Sequence, residues 1–261
     1  MRKLKKTIND FLGSLDLAIS RRSTLDTLKQ SEGAQKSLRF LESMESGSRS
    51  RCIDYLDESR SQLKQDLFVL SKLDFKRGGF FVEFGATNGV DLSNTYLLEK
   101  KFGWRGILAE PGKCWHRDLA RNRSAKIEER LVWSRTDEVI TFVETDIPEI
   151  STVSTYVDGD FHAKLRRKGR AYSVRSVSLF DLLKTFDAPH VIDYLSVDTE
   201  GTEFEILNSF NFSAYDIRII SCEHNFTEKR SAIYDLLSRN GYSRVLEDVS
   251  EFDDWYVKQN S

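Results

Sequence analysis

The most constraining feature of this chain is a pattern that recurs from about residue 66 onward. Short, densely apolar runs close on an acidic side chain and are followed by a loop and a helical period. The runs are FFVEF (80–84), GILA (106–109, closing on Glu110-Pro111), VIDYLSV (191–197, closing on Asp198) and IRIISC (217–222, closing on Glu223-His224-Asn225). Strands this apolar are buried on both faces, and such strands belong to a mostly parallel sheet whose crossovers are helices. Helical spacing is read over 92–101, 115–121, 179–186, 203–208 and 228–240, with further strands near 129–133, 139–144 and 174–177. A terminal antiparallel pair, 242–247 with 255–258, closes the sheet as a hairpin. The expected fold is therefore α/β, an open sheet with helices on both faces.

Composition sets outer bounds. A chain of 261 residues with 39% apolar content and 17 Phe can bury one sizeable core with an appendage. A net charge of −2 gives no global field, so no nucleic-acid partner is expected. The three cysteines, Cys52, Cys114 and Cys222, have no paired spacing, which argues against a disulfide framework or a structural zinc and suits a reducing cytoplasm. No apolar run approaches the ~20 residues that span a bilayer. Thr7, Asn9 and Asp10 interrupt what would be a signal-peptide core, and a soluble, cytoplasmic protein is expected.

Residues 1–65 read differently from residues 66–261, the main domain. Ile8, Leu12, Leu15 and Ile19 follow helical spacing behind a cationic start, later apolar positions are interleaved with polar ones, and ESGSRSR (45–51) reads as a linker. This predicts a helical or partly disordered N-terminal extension packed loosely beside the domain. Its first helix could make weak peripheral contact with an anionic membrane surface, although docking on the chain's own domain is the commoner behaviour of an amphipathic helix.

In open α/β sheets, ligands bind beyond the carboxyl ends of the strands. The first strand ends Glu83-Phe84-Gly85-Ala86-Thr87-Asn88-Gly89. Gly85 and Gly89 allow sharp turns and close backbone approach to a ligand. The G-x-G-x-x-G of a dinucleotide fold is absent. Glu83 would sit badly beside a pyrophosphate and well beside the cationic ammonium or sulfonium of S-adenosylmethionine. Glu110, closing the next strand, can accept hydrogen bonds from both ribose hydroxyls of an adenosine; alternatively it is a solvated loop carboxylate. Trp133 could pack near an adenine or sit in the core.

With these residues in view, the chain resembles the FkbM family of S-adenosylmethionine-dependent methyltransferases. The matching stretches are FFVEFGATNGVDLSNTYLLEKKFGWRGILAEP (80–111), LSVDTEGTEFEIL (195–207) and CEHN (222–225), and the resemblance covers roughly residues 65 to 258. It implies a Rossmann-like class I methyltransferase fold with a seven-stranded, mostly parallel sheet whose last strand is antiparallel. It also implies O-methylation, often of a sugar hydroxyl in a glycan, polysaccharide or glycosylated metabolite. Cofactor contacts carry over to Glu83, Gly85, Ala86, Asn88, Gly89, Asn94, Thr95, Glu110 and Pro111. The loop departs from the family's usual G-A-N-D-G or G-A-N-x-G, with Thr87 and Asn88 in place of the Asn and the acidic residue.

Asp198-Thr199-Glu200-Gly201 and Glu223-His224-Asn225 end neighbouring strands, so both can face an acceptor. Methyl transfer to an alcohol needs a base for the hydroxyl proton. His224 titrates in the right range, and Asp198 or Glu200 can serve when desolvated. A divalent cation such as Mg²⁺ held by Asp198 with Glu223, His224 or Asn225 is a second mechanism. The structural alternatives are a capping box from Thr202 to Glu205, with Asp198 and Glu200 supporting its turn, and a merely hydrogen-bonded His224. The basic segment 158–170, with Lys164, Arg166, Arg167, Lys168 and Arg170, either recognises an anionic acceptor or is a solvated face. Two other classes compete: a nicotinamide-dependent oxidoreductase and a non-catalytic nucleotide-binding scaffold.

Overall fold

The computed structural model describes residues 22–157 and 163–259. The helix expected over residues 8–19 and the first part of the basic segment lie outside the described residues. Three helices precede the sheet: α1 (Arg22–Ser43), α2 (Ser46–Asp54) and α3 (Gln65–Lys72). The expected linker at 45–51 is thus mostly helix. Arg49 explains why, because its guanidinium donates to the carbonyls of Leu41, Glu42 and Met44 and satisfies the open C-terminal end of α1.

The main sheet begins with β1 (Phe80–Phe84), followed by α4 (Tyr96–Phe102), β2 (Arg105–Ala109), α5 (His116–Asn122) and β3 (Lys126–Glu128). The chain then leaves this sheet to build a second one from β4 (Leu131–Trp133), β5 (Val139–Glu144), β6 (Thr152–Val153) and β7 (Arg170–Ser178), with α6 (Ala163–Arg166) between the last two. The single strand expected near 129–133 is therefore two strands in two sheets. Glu128 is the reason: its carboxylate accepts the backbone N–H of Arg130 and binds the Arg130 guanidinium, which turns the chain between them.

After α7 (Leu179–Thr185) the chain returns as β8 (Val191–Val197), α8 (Glu203–Asn208), β9 (Asp216–Glu223), α9 (Lys229–Arg239), β10 (Tyr242–Val245), α10 (Glu247–Ser250) and β11 (Asp253–Lys258). The strand order is β10-β11-β9-β8-β1-β2-β3. Pairing is parallel from β9 to β3, and β11 runs antiparallel between β9 and β10. The last strand in sequence is the antiparallel one, as expected. It is not joined to β10 by a tight hairpin, because α10 intervenes, flanked by Leu246 and Glu251 at φ 56° and 50°. The order in which strands are added reverses at β1, since β2 lies on one side and β8 on the other.

Alternation along the strands sends side chains into two cores. Val82, Phe84, Leu195, Val197 and Ile220 face α7, α8 and α9. Phe81, Leu108, Tyr194, Ile219 and Trp255 face the other way, onto the N-terminal helices and α4. Trp255 is fully buried, stacked on Phe68 of α3 at 4.6 Å and edge-on to Phe40 of α1 at 6.5 Å. Residues from Phe40 through Cys52 thus belong to the same core as the sheet. Phe40→Ala should lower unfolding free energy by about 3–5 kcal/mol in urea. An unchanged midpoint would show that α1 is not part of the cooperative unit.

Candidate active site

The carboxyl ends of β1, β2, β8 and β9 open into a cavity of ≈ 320 Å³. That volume lies at the lower end of the range typical of small-molecule sites. The second sheet supplies its apolar roof through Leu131, Phe142 and Val153, joined by Ile150 from the 3-10 turn before β6. Gln62, Gln65 and Phe252 complete the wall. Nothing in the motifs pointed to these three, because Gln62 and Gln65 stand at or before the edge of the family-like stretch. Gln65 is set by two hydrogen bonds, accepting from Leu63 N and donating to Asp253 Oδ2 at 2.8 Å.

Gly85 is the pivot of the cofactor side. Its φ is +72°, and a Cβ there would stand 2.2 Å from the Asp198 carbonyl oxygen. The mouths of β1 and β8 therefore touch through backbone alone. Thr87, at φ 47°, donates its N–H to Glu110 Oε2 at 2.8 Å, and Gly112 N–H donates to Glu110 Oε1 at 2.7 Å. Burial pushes the Glu110 carboxyl up to about 7, with Asp198 and Glu144 adding to it.

Glu83 lies on the cavity wall, but both of its oxygens are committed to the loop that follows. Oε1 accepts from Asn94 N, and Oε2 accepts from the hydroxyls of Ser93 and Thr95. This loop is why the helix expected from residue 92 starts only at Tyr96. Arg123, a residue that no motif flagged, locks the arrangement from behind. Its buried guanidinium binds Glu99, Gly89 O, Ser93 Oγ and Thr95 Oγ1, 3.7 Å from Glu83. Burial outweighs Arg123 and raises the Glu83 carboxyl above its ordinary value.

The other expected cofactor residues divide into two groups. Asn94 and Pro111 line the cavity. Asn94 donates through Nδ2 to Ser196 Oγ, and its buried Oδ1 has no partner in the protein. Ala86, Asn88, Gly89 and Thr95 do not line the cavity and instead shape the loop. Asn88 is closed on itself, with Oδ1 accepting from Val90 N and Asp91 N and Nδ2 donating to Asp91. Trp133 packs at 6.4 Å from Tyr156 and does not line the cavity.

On the acceptor side, Asp198, Glu200 and Glu223 bring one oxygen each within 4.8 Å of one another. Enclosure pushes Asp198 up to about 7, eased by a hydrogen bond with Glu223 and aggravated by Glu203 and Glu83. Glu223 is raised further, by burial and then by Asp198 and Glu200, and its buried Oε2 has no partner. Two carboxylates this close share a proton, since both cannot ionise cheaply. Glu200 accepts from the buried Arg166 at 2.6 Å and from Asn225 at 3.4 Å.

The capping box is not formed. Thr202 makes no side-chain cap, and Glu205 binds Lys229. Glu203 instead accepts Thr199 N, Thr199 Oγ1 and Gly201 N through Oε1, so Glu203 holds the turn and Asp198 is left to face the cavity.

His224 is not oriented as a base toward this cavity or as a metal ligand. Its Nδ1 accepts the Phe226 N–H at 3.0 Å, so the proton sits on Nε2, which lies 3.7 Å from Asp254. Burial lowers its pKa. In the basic segment, Arg166 is spent on Ile150 O and Glu200, while Lys164, Arg167, Lys168 and Arg170 are exposed.

The family model of the Methyltransferase FkbM domain matches residues 83–244, from the acidic residue of β1 into β10. The chain belongs to the FkbM methyltransferase family. An FkbM methyltransferase takes its methyl group from S-adenosylmethionine, and nothing in the cavity supports the nicotinamide or scaffold alternatives. No curated protein sequence matches this FkbM chain. Among solved structures, a point mutant of MtNAS is similar at 14% identity with a TM-score of 0.37, over 92% of this chain and 74% of that one. Among the described residues, no helix is long and apolar enough to cross a membrane.

The residues present fit the donor, whose positive charge meets acidic walls and whose close approach a Cβ at Gly85 would disturb. Gly85→Ala should cost about 1–2 kcal/mol from its backbone conformation alone. It should also weaken S-adenosylhomocysteine binding at least about tenfold by calorimetry, equivalent to ~1.4 kcal/mol. Wild-type affinity in this variant would show that the β1–β8 contact does not shape the cofactor site.

Proposed function

We propose that this protein transfers the methyl group to a hydroxyl of a saccharide or of another glycosylated acceptor, with Asp198 and Glu223 as the proton-accepting pair. The carboxylate pair at the mouths of β8 and β9 carries this reading, because it lines the same cavity as Asn94 and Glu110. S-adenosylmethionine supplies an electrophilic methyl on a sulfonium. On the protein side, the unpartnered Asn94 Oδ1 suits an ammonium, and each Glu110 oxygen keeps a lone pair for a ribose hydroxyl. Gly85 and Thr87 bring bare backbone to the same wall.

In the transfer the methyl–sulfur bond would break, leaving neutral S-adenosylhomocysteine, as the C–O bond forms, and a carboxylate in hydrogen-bond reach would take the hydroxyl proton. A base raised to about 7 is deprotonated above that pH and still basic enough to help. The roof of apolar side chains keeps water from competing for the methyl group. His224, whose Nδ1 is taken by the Phe226 N–H and whose Nε2 points to the Asp254 side, does not line this cavity and is left out of the proton path.

Asp198→Asn preserves shape and removes the base. It should hold S-adenosylhomocysteine within about threefold of wild type. Labelled methyl transfer to a panel of nucleotide sugars and polysaccharides should fall by about 10²–10⁴. Wild-type turnover should rise with pH through about 7, the range to which Asp198 is pushed. Undiminished transfer in the variant would remove Asp198 from the proton path.

A divalent cation is a second reading, favoured by the three carboxylate oxygens of Asp198, Glu200 and Glu223. Activity lost in EDTA and restored by Mg²⁺ is its expected signature. Activity unaffected by EDTA would leave the carboxylates as simple base and hydrogen-bond acceptors.

A further inference from the structure

A second cavity of ≈ 450 Å³ lies against the first, and Glu200, Glu223 and Asn225 line both. Its far side carries two aromatic rings, Phe226 and Tyr156. Phe226 is 69% exposed, among the most exposed large apolar side chains of the described residues. It is also held in an unusual backbone conformation: Asn225 and Phe226 follow one another at φ 44° and 57°. A bulky residue in the left-handed region is an outlier that persists only where its surroundings enforce it.

The enforcement comes from β9 and the residues around it. His224 Nδ1 accepts the Phe226 N–H, and His224 O accepts from both Thr227 N and Thr227 Oγ1. The backbone N–H groups of His224 and Asn225 both reach Phe252 O. The His224 ring stands edge-on to the Phe226 ring at 5.3 Å. A strained backbone that presents a phenyl ring to solvent gains nothing for folding. The same geometry is useful if a ligand ring lies on the phenyl face.

The polar side of this cavity selects the ligand's charge. Arg166 is engaged by Glu200, and Lys229 binds Gly201 O and both oxygens of Glu205 while standing 4.0 Å over the Tyr156 ring. Among the described residues, the two cations that line the cavity are thus already engaged by carboxylates, whereas Glu223 keeps an unpartnered oxygen. Carboxylates and an Asn amide suit hydroxyl groups and repel an anion.

We infer that this second cavity is the acceptor site, and that it takes a neutral pyranoside whose apolar face stacks on Phe226 while its hydroxyls reach Glu223 and Asn225. This rests on the saccharide reading given above. His224 is then a positioning residue: it sets Phe226 through the Nδ1 hydrogen bond. The same feature argues against an anionic acceptor, one of the two readings of the basic segment, and for the other, a solvated face.

The test uses the full chain loaded with S-adenosylhomocysteine. Saturation-transfer NMR is recorded with methyl α-glucopyranoside, methyl α-rhamnopyranoside and glucuronate, and cofactor affinity is measured by calorimetry on the same samples. Transfer to the ring protons of a neutral glycoside is expected. Its affinity should fall about tenfold in Phe226→Asn, which tolerates positive φ, and recover in Phe226→Trp. His224→Ala should cause a similar loss in the wild type and no further loss beside Phe226→Asn. Unchanged glycoside affinity in Phe226→Asn, stronger transfer to glucuronate, or cofactor binding without transfer to either glycoside would each overturn the inference. Absence of cofactor binding would instead strike at the function proposed above.

Discussion

The reversal of strand order at β1 governs this molecule. Because β2 and β8 lie on opposite sides of one central strand, their crossovers diverge and leave a crevice above it. The crevice stays narrow because Gly85 lets the backbone of the first loop rest on the Asp198 carbonyl. Both halves of the site depend on that contact, since Asp198 begins the acceptor side one residue beyond β8.

Around the contact, the protein encloses an unusual density of acid. Glu83, Glu110, Asp198, Glu203, Glu223 and Asp253 are all raised by burial. They divide by what they touch. Glu83 accepts N–H and O–H donors on both oxygens from the loop that follows it, and Glu203 accepts three on Oε1 from the turn before it, so they act as clamps. Glu223 has an oxygen left over, as does the Asn94 amide. Unpaired buried oxygens are costly in an empty site and favourable beside a cation or a hydroxyl donor.

The parallel part of the fold was legible because β1, β2, β8 and β9 are apolar on both faces, and only a central parallel strand needs that. The second sheet was not, because β4, β5 and β7 look like any half-buried strands and only the Glu128 turn diverts them. In the site, strand-end acids could be located but not sorted. Spacing shows that Glu83 and Asp198 end strands, yet which one is consumed by its own loop depends on hydroxyls at Ser93, Thr95 and Thr199. The same limit applied to His224, whose Nδ1 is taken by a backbone N–H two residues on. Arg123 had no motif at all, since its partners gather from β1, the loop after it and α4 only after folding.

The hydrogen bond from Gln65 to Asp253 joins residues 188 apart in sequence, directly beside the cavity wall. Phe40 and Trp255 make a parallel connection one layer below. The pocket wall is therefore completed by residues from before β1 and from the segment that leads into β11, and it cannot close while β11 is missing. During synthesis the central strands emerge long before that wall exists, and contacts so distant in sequence form slowly. Competence to hold the methyl donor must arrive late and all at once, after the last strand inserts between β9 and β10.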